Sequence, residues 1–134
     1  MSTITWDDSY SIWDPELDKH HQQLIRYIHV LSEGSRHDPE VVQQLVKGLV
    51  AYAGYHFAAE EERMRESGYP DPEYSAHLAS HRDFAKDVLI FEQVFTKGSP
   101  RLERLLLHYL TDWLTNHILT ADKKLGAWLR DKRP

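Results

Sequence analysis

At 134 residues with a net charge of −5 and both signs spread along the chain, the sequence predicts one domain with a real core. It offers no basic footprint for nucleic acid or an anionic membrane. The absence of cysteine excludes disulfides, thiolate metal sites, iron–sulfur clusters and c-type haem attachment. No apolar run approaches the roughly 18 residues of a membrane span. The acidic, polar start MSTITWDDSY is unlike a secretory signal, so a cytoplasmic protein is expected.

In chain order, residues 1–13 carry Trp6, Tyr10 and Trp13 without helical periodicity, and are expected to form an arm packed on the helices. Four helix starts come next: Asp14-Pro15, Asp38-Pro39, Asp71-Pro72 and Ser99-Pro100. Asp and Ser accept from unpaired amides of the first turn, and proline at the first helical position has no amide to lose. Gly34, Gly68 and Gly98 supply the stops, because glycine takes the left-handed conformation that ends a helix. The predicted helices cover about 15–33, 39–67, 72–97 and 100–119, with a further helical piece over about 121–131 that docks through Leu125, Trp128 and Leu129. Short connections make sequential helices antiparallel, so the expected fold is all-α: an up-down-up-down four-helix bundle in a single domain, 1–134.

The apolar seams follow steps of three and four. Helix one gives Leu17, His21, Leu24, Ile28 and Leu31; helix two gives Val42, Leu45, Leu49, Tyr52 and His56. Helix three gives Tyr74, His77, His81, Phe84, Val88, Phe91 and Phe95. Helix four gives Leu102, Leu106, Tyr109 or Leu110, Trp113 and His117. Five seam positions are therefore histidine: His21, His56, His77, His81 and His117. In an antiparallel bundle all five lie toward one end. A buried imidazole without partners costs about 1–3 kcal/mol, so five together require a dense network or a metal.

Two carboxylates join them. Glu60 is four after His56 and shares its face, about 40° away, whereas Glu61 and Glu62 are turned by about 140° and 240° and are expected to stay solvated. Asp122 is five after His117, about 140° off on an ideal helix, so a break or π-bulge is expected between them. Imidazole with carboxylate suits iron, manganese, zinc or copper, and seven ligands exceed the four of a single zinc. Two metals bridged by the two carboxylates fit the count. The Glu-x-x-His repeats of ferritin-like di-iron bundles are absent from the sequence.

Taken together, DKHHQQL, YAGYHFAAEEERM, YP, HLASH and WLTNHILTAD resemble the hemerythrin family in its bacterial single-domain form, from Trp6 to Asp122. Asp18 and Leu24 bracket His21 as in that family, which selects His21 over His20. The resemblance implies two non-haem iron ions with an oxo or hydroxo bridge. It assigns His77, His81 and His117 to one iron, His21 and His56 to the other, and Glu60 and Asp122 to both. It implies that dioxygen binds at the open position of the two-histidine iron. It places Leu24, Phe57, Trp113, Leu114 and Ile118 around an oxygen pocket, with Met64 in the core. His29 departs from the family's usual Asn and is expected to be partly exposed. His20 is expected at the bundle edge or in solvent, and His108 with Asp112 as a surface pair.

The implied function is reversible dioxygen binding for storage, delivery to an oxygen-using enzyme, or scavenging, rather than catalysis. The alternatives are a di-iron enzyme reducing peroxide or nitric oxide, which needs a proton donor in the pocket, and a sensor acting through a separate partner.

Overall fold

The computed structural model describes residues 4–33, 38–94 and 99–132. A short 3-10 turn, Asp8–Tyr10, precedes helices α1 (Pro15–Ser32), α2 (Pro39–Ser67), α3 (Glu73–Val94) and α4 (Pro100–His117). A π-helical turn, Ile118–Asp122, then leads directly into α5 (Lys123–Lys132). Among the described residues there is no strand, and no helix is long and apolar enough to cross a membrane. Helix α1 packs on α2 and α4, and α3 packs on the same two, which is the ring order of a four-helix bundle.

The caps explain where the helices begin. Asp14 accepts from the amides of Glu16 and Leu17, Asp38 from Glu40, and Ser99 from Leu102. Helix α3 starts at Glu73, one residue past Pro72, and Asp71 still serves its first turn by accepting from the Ser75 amide at 2.9 Å. Gly68 ends α2 at φ 68°, in the left-handed region. Gly34, Gly98 and Phe95 lie outside the described residues.

The seam of α1 is buried as expected, but that of α2 is turned by one position. Val46 and Ala53 are buried while Leu45 and Tyr52 are only half-buried. Counted backward from His56, steps of three and four reach 53, 49, 46 and 42 just as regularly. Tyr52 instead lies between α1 and α2, against the rings of Tyr27 and His20.

Apolar packing forms two clusters. The larger joins the four helices through residues such as Leu24, Leu49, Phe57, Val88, Leu110, Leu114 and Ile118. The smaller joins Met64, Tyr69, Leu125 and Leu129, with Trp128 packed against it. Along α2 the passage from Phe57 to Met64 crosses Glu60. Along the last helix the passage from Ile118 to Leu125 crosses Asp122. Glu60 and Asp122, both fully buried, thus sit between the two clusters.

The arm fixes α5. Trp6 and Tyr10 lie against the larger cluster, and Ile12 is fully buried. Asp18 accepts from the Ile12 amide at 2.9 Å and the Ser11 hydroxyl at 2.6 Å. A side chain at Gly126 would collide with the Ile12 carbonyl, so α5 approaches the arm only through glycine. Trp13 adopts φ 61°, unusual for a bulky residue, and its ring is flanked by Arg130 at 3.9 Å and Lys123 at 4.6 Å.

Candidate metal centre

Seven buried residues converge between the clusters: His21 from α1, His56 and Glu60 from α2, His77 and His81 from α3, His117 from α4, and Asp122 from the π turn. The +5 spacing of His117 and Asp122 is resolved by that turn. Five residues complete one wide turn there, so both side chains point inward. A π turn leaves backbone carbonyls short of partners, and the Thr120 hydroxyl donates to the Asn116 carbonyl at 2.6 Å. The helix therefore bulges without breaking.

Each carboxylate is divided between two groups of histidines. Glu60 Oε2 lies 3.3 Å from His56 Nε2 and 3.5 Å from His21 Nε2. Glu60 Oε1 lies 3.1 Å from His81 Nε2 and 3.6 Å from His77 Nε2. Asp122 repeats the pattern. Its Oδ2 is 2.9 Å from His21 Nε2, and its Oδ1 is 3.0 Å from His77 Nε2 and 3.1 Å from His117 Nε2. Two groups of potential ligand atoms result, each spanning no more than 4.8 Å: His77, His81 and His117 with both carboxylates, and His21 and His56 with the same carboxylates.

The donor set passes a simple test of fit to metal ions. Nine buried atoms here make no hydrogen bond: both oxygens of Glu60 and of Asp122, both ring nitrogens of His21 and of His77, and His56 Nε2. Left that way, each would cost about 1–3 kcal/mol. Carboxylate oxygens and ring nitrogens that crowd within contact distance yet lack hydrogen-bond alignment are what cations between them would satisfy.

The charges agree. Burial would lower the pKa of His21, but Asp122 and Glu60 outweigh it and push it up to about 10. Burial likewise opposes protonation of His77, and the same two carboxylates carry it up to about 9. Burial favours the neutral form of Glu60, yet His56, His21 and His77 hold it well below the usual carboxylate range. Asp122 is also held low, by His117 and His21, against burial and the Glu60 charge. Without metal the cluster keeps its anions by retaining protons on histidine, so a metal must displace those protons.

Outer partners hold three of the rings. His81 Nδ1 lies 2.8 Å from Glu61 Oε2, His117 Nδ1 lies 2.9 Å from Ser80 Oγ, and His56 Nδ1 lies 3.0 Å from His20 Nδ1. Two expectations are corrected here. Glu61 is half-buried against His81 rather than solvated, because a long side chain turned partly away from the core still reaches around to its neighbour on α3. His20 is buried, because the inward stripe of α1 is wide and takes in positions 20 and 25 beside 17, 21, 24 and 28. Its steps of three from Leu17 and four to Leu24 were the available signal. Ser80, next to His81, carried none. Glu62 is exposed, His29 is partly exposed, and His108 pairs with Asp112 at 3.1 Å on the surface.

Aromatic rings clamp two histidines. Phe57 stacks on His81 at 3.9 Å and 10°, and Trp113 stacks on His117 at 4.3 Å and 13°. Beside them is an apolar cavity of about 10 Å³, lined by Leu24, Phe57, Trp113 and Leu114, and also by Ile28, Leu49, Ala53, Phe84 and Leu110. Ile118 is fully buried but is not part of that lining, because it lies in the π turn, beyond Leu114 along the helix. A second cavity, about 140 Å³, reaches His77 and is lined by Tyr69, Glu73, Thr120 and Lys124 with Ala76 and Ala121.

Comparison with known proteins agrees with this geometry. The family model described as "Hemerythrin HHE cation binding domain" matches residues 14–129. A bacteriohemerythrin of Stenotrophomonas maltophilia (strain R551-3) is 31% identical over 126 residues, covering 92% of this chain and 79% of that protein. A hemerythrin-like protein of Naegleria gruberi is 27% identical over 123 residues, covering 92% and 91%. Among solved structures, wild-type hemerythrin superposes with a TM-score of 0.81 at 22% identity, covering 96% of this chain and 98% of that one, a likeness of fold. With the family model spanning the whole cluster from before His21 to beyond Asp122, the chain belongs to the hemerythrin family, whose typical metal is iron.

Proposed function

We propose that this chain binds dioxygen reversibly at a non-haem di-iron centre, for storage, scavenging or delivery to an oxygen-using enzyme in the cytoplasm. His77, His81 and His117 would hold one iron and His21 and His56 the other, with Glu60 and Asp122 as ligands shared by both and an oxo or hydroxo group between them. The observation that carries this reading is the division of both carboxylates: one oxygen of each faces histidines of the His77, His81 and His117 group, and the other faces the His21 and His56 group. When bound, the bridged iron pair supplies two electrons that dioxygen can accept and return.

The chain's own part is positioning and exclusion. Three histidines on one side against two on the other leave the two-histidine side short of a ligand. Phe57 and Trp113 fix the planes of His81 and His117. Leu24, Phe57, Trp113 and Leu114 line a space of about 10 Å³ that offers water very little polar surface. The cavity lining carries no ionisable side chain. A reductase of peroxide or nitric oxide needs a proton donor there, so binding is favoured over catalysis. His20 does not supply one, since it meets His56 through the Nδ1 edge, away from the Nε2 that faces Glu60.

The test is anaerobic loading with ferrous iron, metal analysis, then cycles of oxygen addition and removal followed optically. About two irons per chain are expected, with an absorption band that appears with oxygen and vanishes on its removal. Immediate irreversible oxidation would sink the carrier reading, and a single zinc per chain would sink the di-iron one.

A further inference from the structure

His20 lies outside the seven converging residues, yet it is only 6% exposed and its Nδ1 is 3.0 Å from His56 Nδ1. The rings are nearly perpendicular, at 87°, and Tyr52 and Tyr55 close around His20 with centroids 5.9 and 5.2 Å away. Two imidazole nitrogens share a hydrogen bond only if one carries hydrogen and the other does not. His56 Nε2 faces Glu60 at 3.3 Å, so as a ligand it must present a lone pair there, and its proton must sit on Nδ1. His20 Nδ1 is then the acceptor, and the hydrogen of His20 is on Nε2.

The other half of the centre is held differently. His81 Nδ1 faces the Glu61 carboxylate at 2.8 Å. An anionic acceptor draws the Nδ1 proton toward itself and makes the ligand more basic, whereas a neutral imidazole does so less. We propose that His20 is a positioning residue. Its neutral hydrogen bond holds His56 with Nε2 inward and, set against Glu61 behind His81, gives the two halves of the centre unequal donor strength. This rests on the metal-binding part of the proposed function and is independent of dioxygen.

The experiment is titration of the metal-free chain with cobalt(II) against a chromophoric chelator, with proton NMR of the exchangeable, paramagnetically shifted histidine N–H signals. Three forms are compared: wild type, His20→Leu, which fills space without an acceptor, and His20→Gln, whose side-chain carbonyl can accept. In His20→Leu one of the two cobalt equivalents should bind more weakly by roughly 10–100-fold while the other is unchanged. One histidine N–H signal should also shift and exchange faster with water. His20→Gln should restore most of both. If His20→Leu takes up both equivalents like wild type, the role assigned to His20 is wrong. If His20→Gln is as impaired as His20→Leu, His20 acts by packing alone and the proposal also fails. A wild-type chain that takes up fewer than two equivalents would instead overturn the metal reading on which it rests.

Discussion

Two cavities approach the same cluster and differ in almost every respect. One, about 10 Å³, is walled by apolar side chains from all four bundle helices, including Leu24, Ala53, Phe84 and Leu114. The other, about 140 Å³, is walled by the Tyr69 turn, the start of α3 and the π turn, with Glu73 and Lys124 among its residues. An uncharged diatomic loses little by entering the first, whereas water or an ion would lose its hydrogen bonds there. Polar traffic finds partners only in the second, which touches His77. Dryness in this bundle is therefore a property of one side of the centre, set by which helix faces meet there.

The largest effect should come from opening the dry side. Leu114 is 6% exposed, so Leu114→Ala should cost about 2–5 kcal/mol in urea unfolding. It should also speed irreversible oxidation of the iron-loaded protein by admitting water. If stability falls and oxidation keeps its wild-type rate, the dry wall does not protect the centre.

A second contrast separates loaded from metal-free protein by pH. In the metal-free chain His21 and His77 have pKa values raised to about 10 and about 9, above the ordinary 6.5. Their contribution to stability is complete below about pH 6.5 and is lost as pH rises through the raised values. The unfolding free energy from denaturant titrations should thus fall from pH 6.5 toward 9, by about 1 kcal/mol per pH unit for each of the two groups. Glu60 and Asp122, held low, contribute above the ordinary carboxylate range and lose that contribution on strong acidification. Iron must displace the histidine protons, so uptake should improve over the same interval in which the metal-free fold weakens. Parallel trends in the two experiments would contradict the proton-filled cluster.

The smallest effect is expected on the wet side. Glu73 is exposed, so Glu73→Gln should change stability by no more than about 0.5 kcal/mol. It should slow ferrous uptake in stopped-flow loading and leave oxidation of the loaded protein unchanged. Faster oxidation in this variant would mean that the two sides are not separate.

Much of the molecule is legible in the sequence because it is periodic. Caps at Asp14, Asp38 and Ser99 and the seam of α1 are local signals, and the structure uses them. The five histidines and Glu60 are visible as polar residues on apolar seams. What periodicity does not carry is the reach of a side chain across helices. The angle of Glu61 on α2 points it to solvent, yet it spans to His81. Choosing one seam position favours His21 over His20, although the stripe holds both. Leu45 against Val46 is a choice between two equally regular paths, settled only by Tyr52 lying against Tyr27 and His20 on α1. The burial of Ile12 under Gly126 is a contact across most of the chain, and no local pattern announces it.

The π turn makes the end of the bundle a matter of counting. Between His117 and Asp122 the chain spends five residues on a turn that an α-helix would complete in four. Everything beyond it, including Leu125 and Leu129 against Met64, is in the register of a helix one residue shorter. A family member lacking one residue here, at the exposed position of Leu119 for instance, would carry its histidine and aspartate four apart, about 40° from each other on an unbroken helix. Both would still face inward. A residue gained beyond the turn has no such absorber, and would rotate α5 by about 100° away from its partners. Length variation at this end of the chain is thus tolerated inside the turn and refused after it.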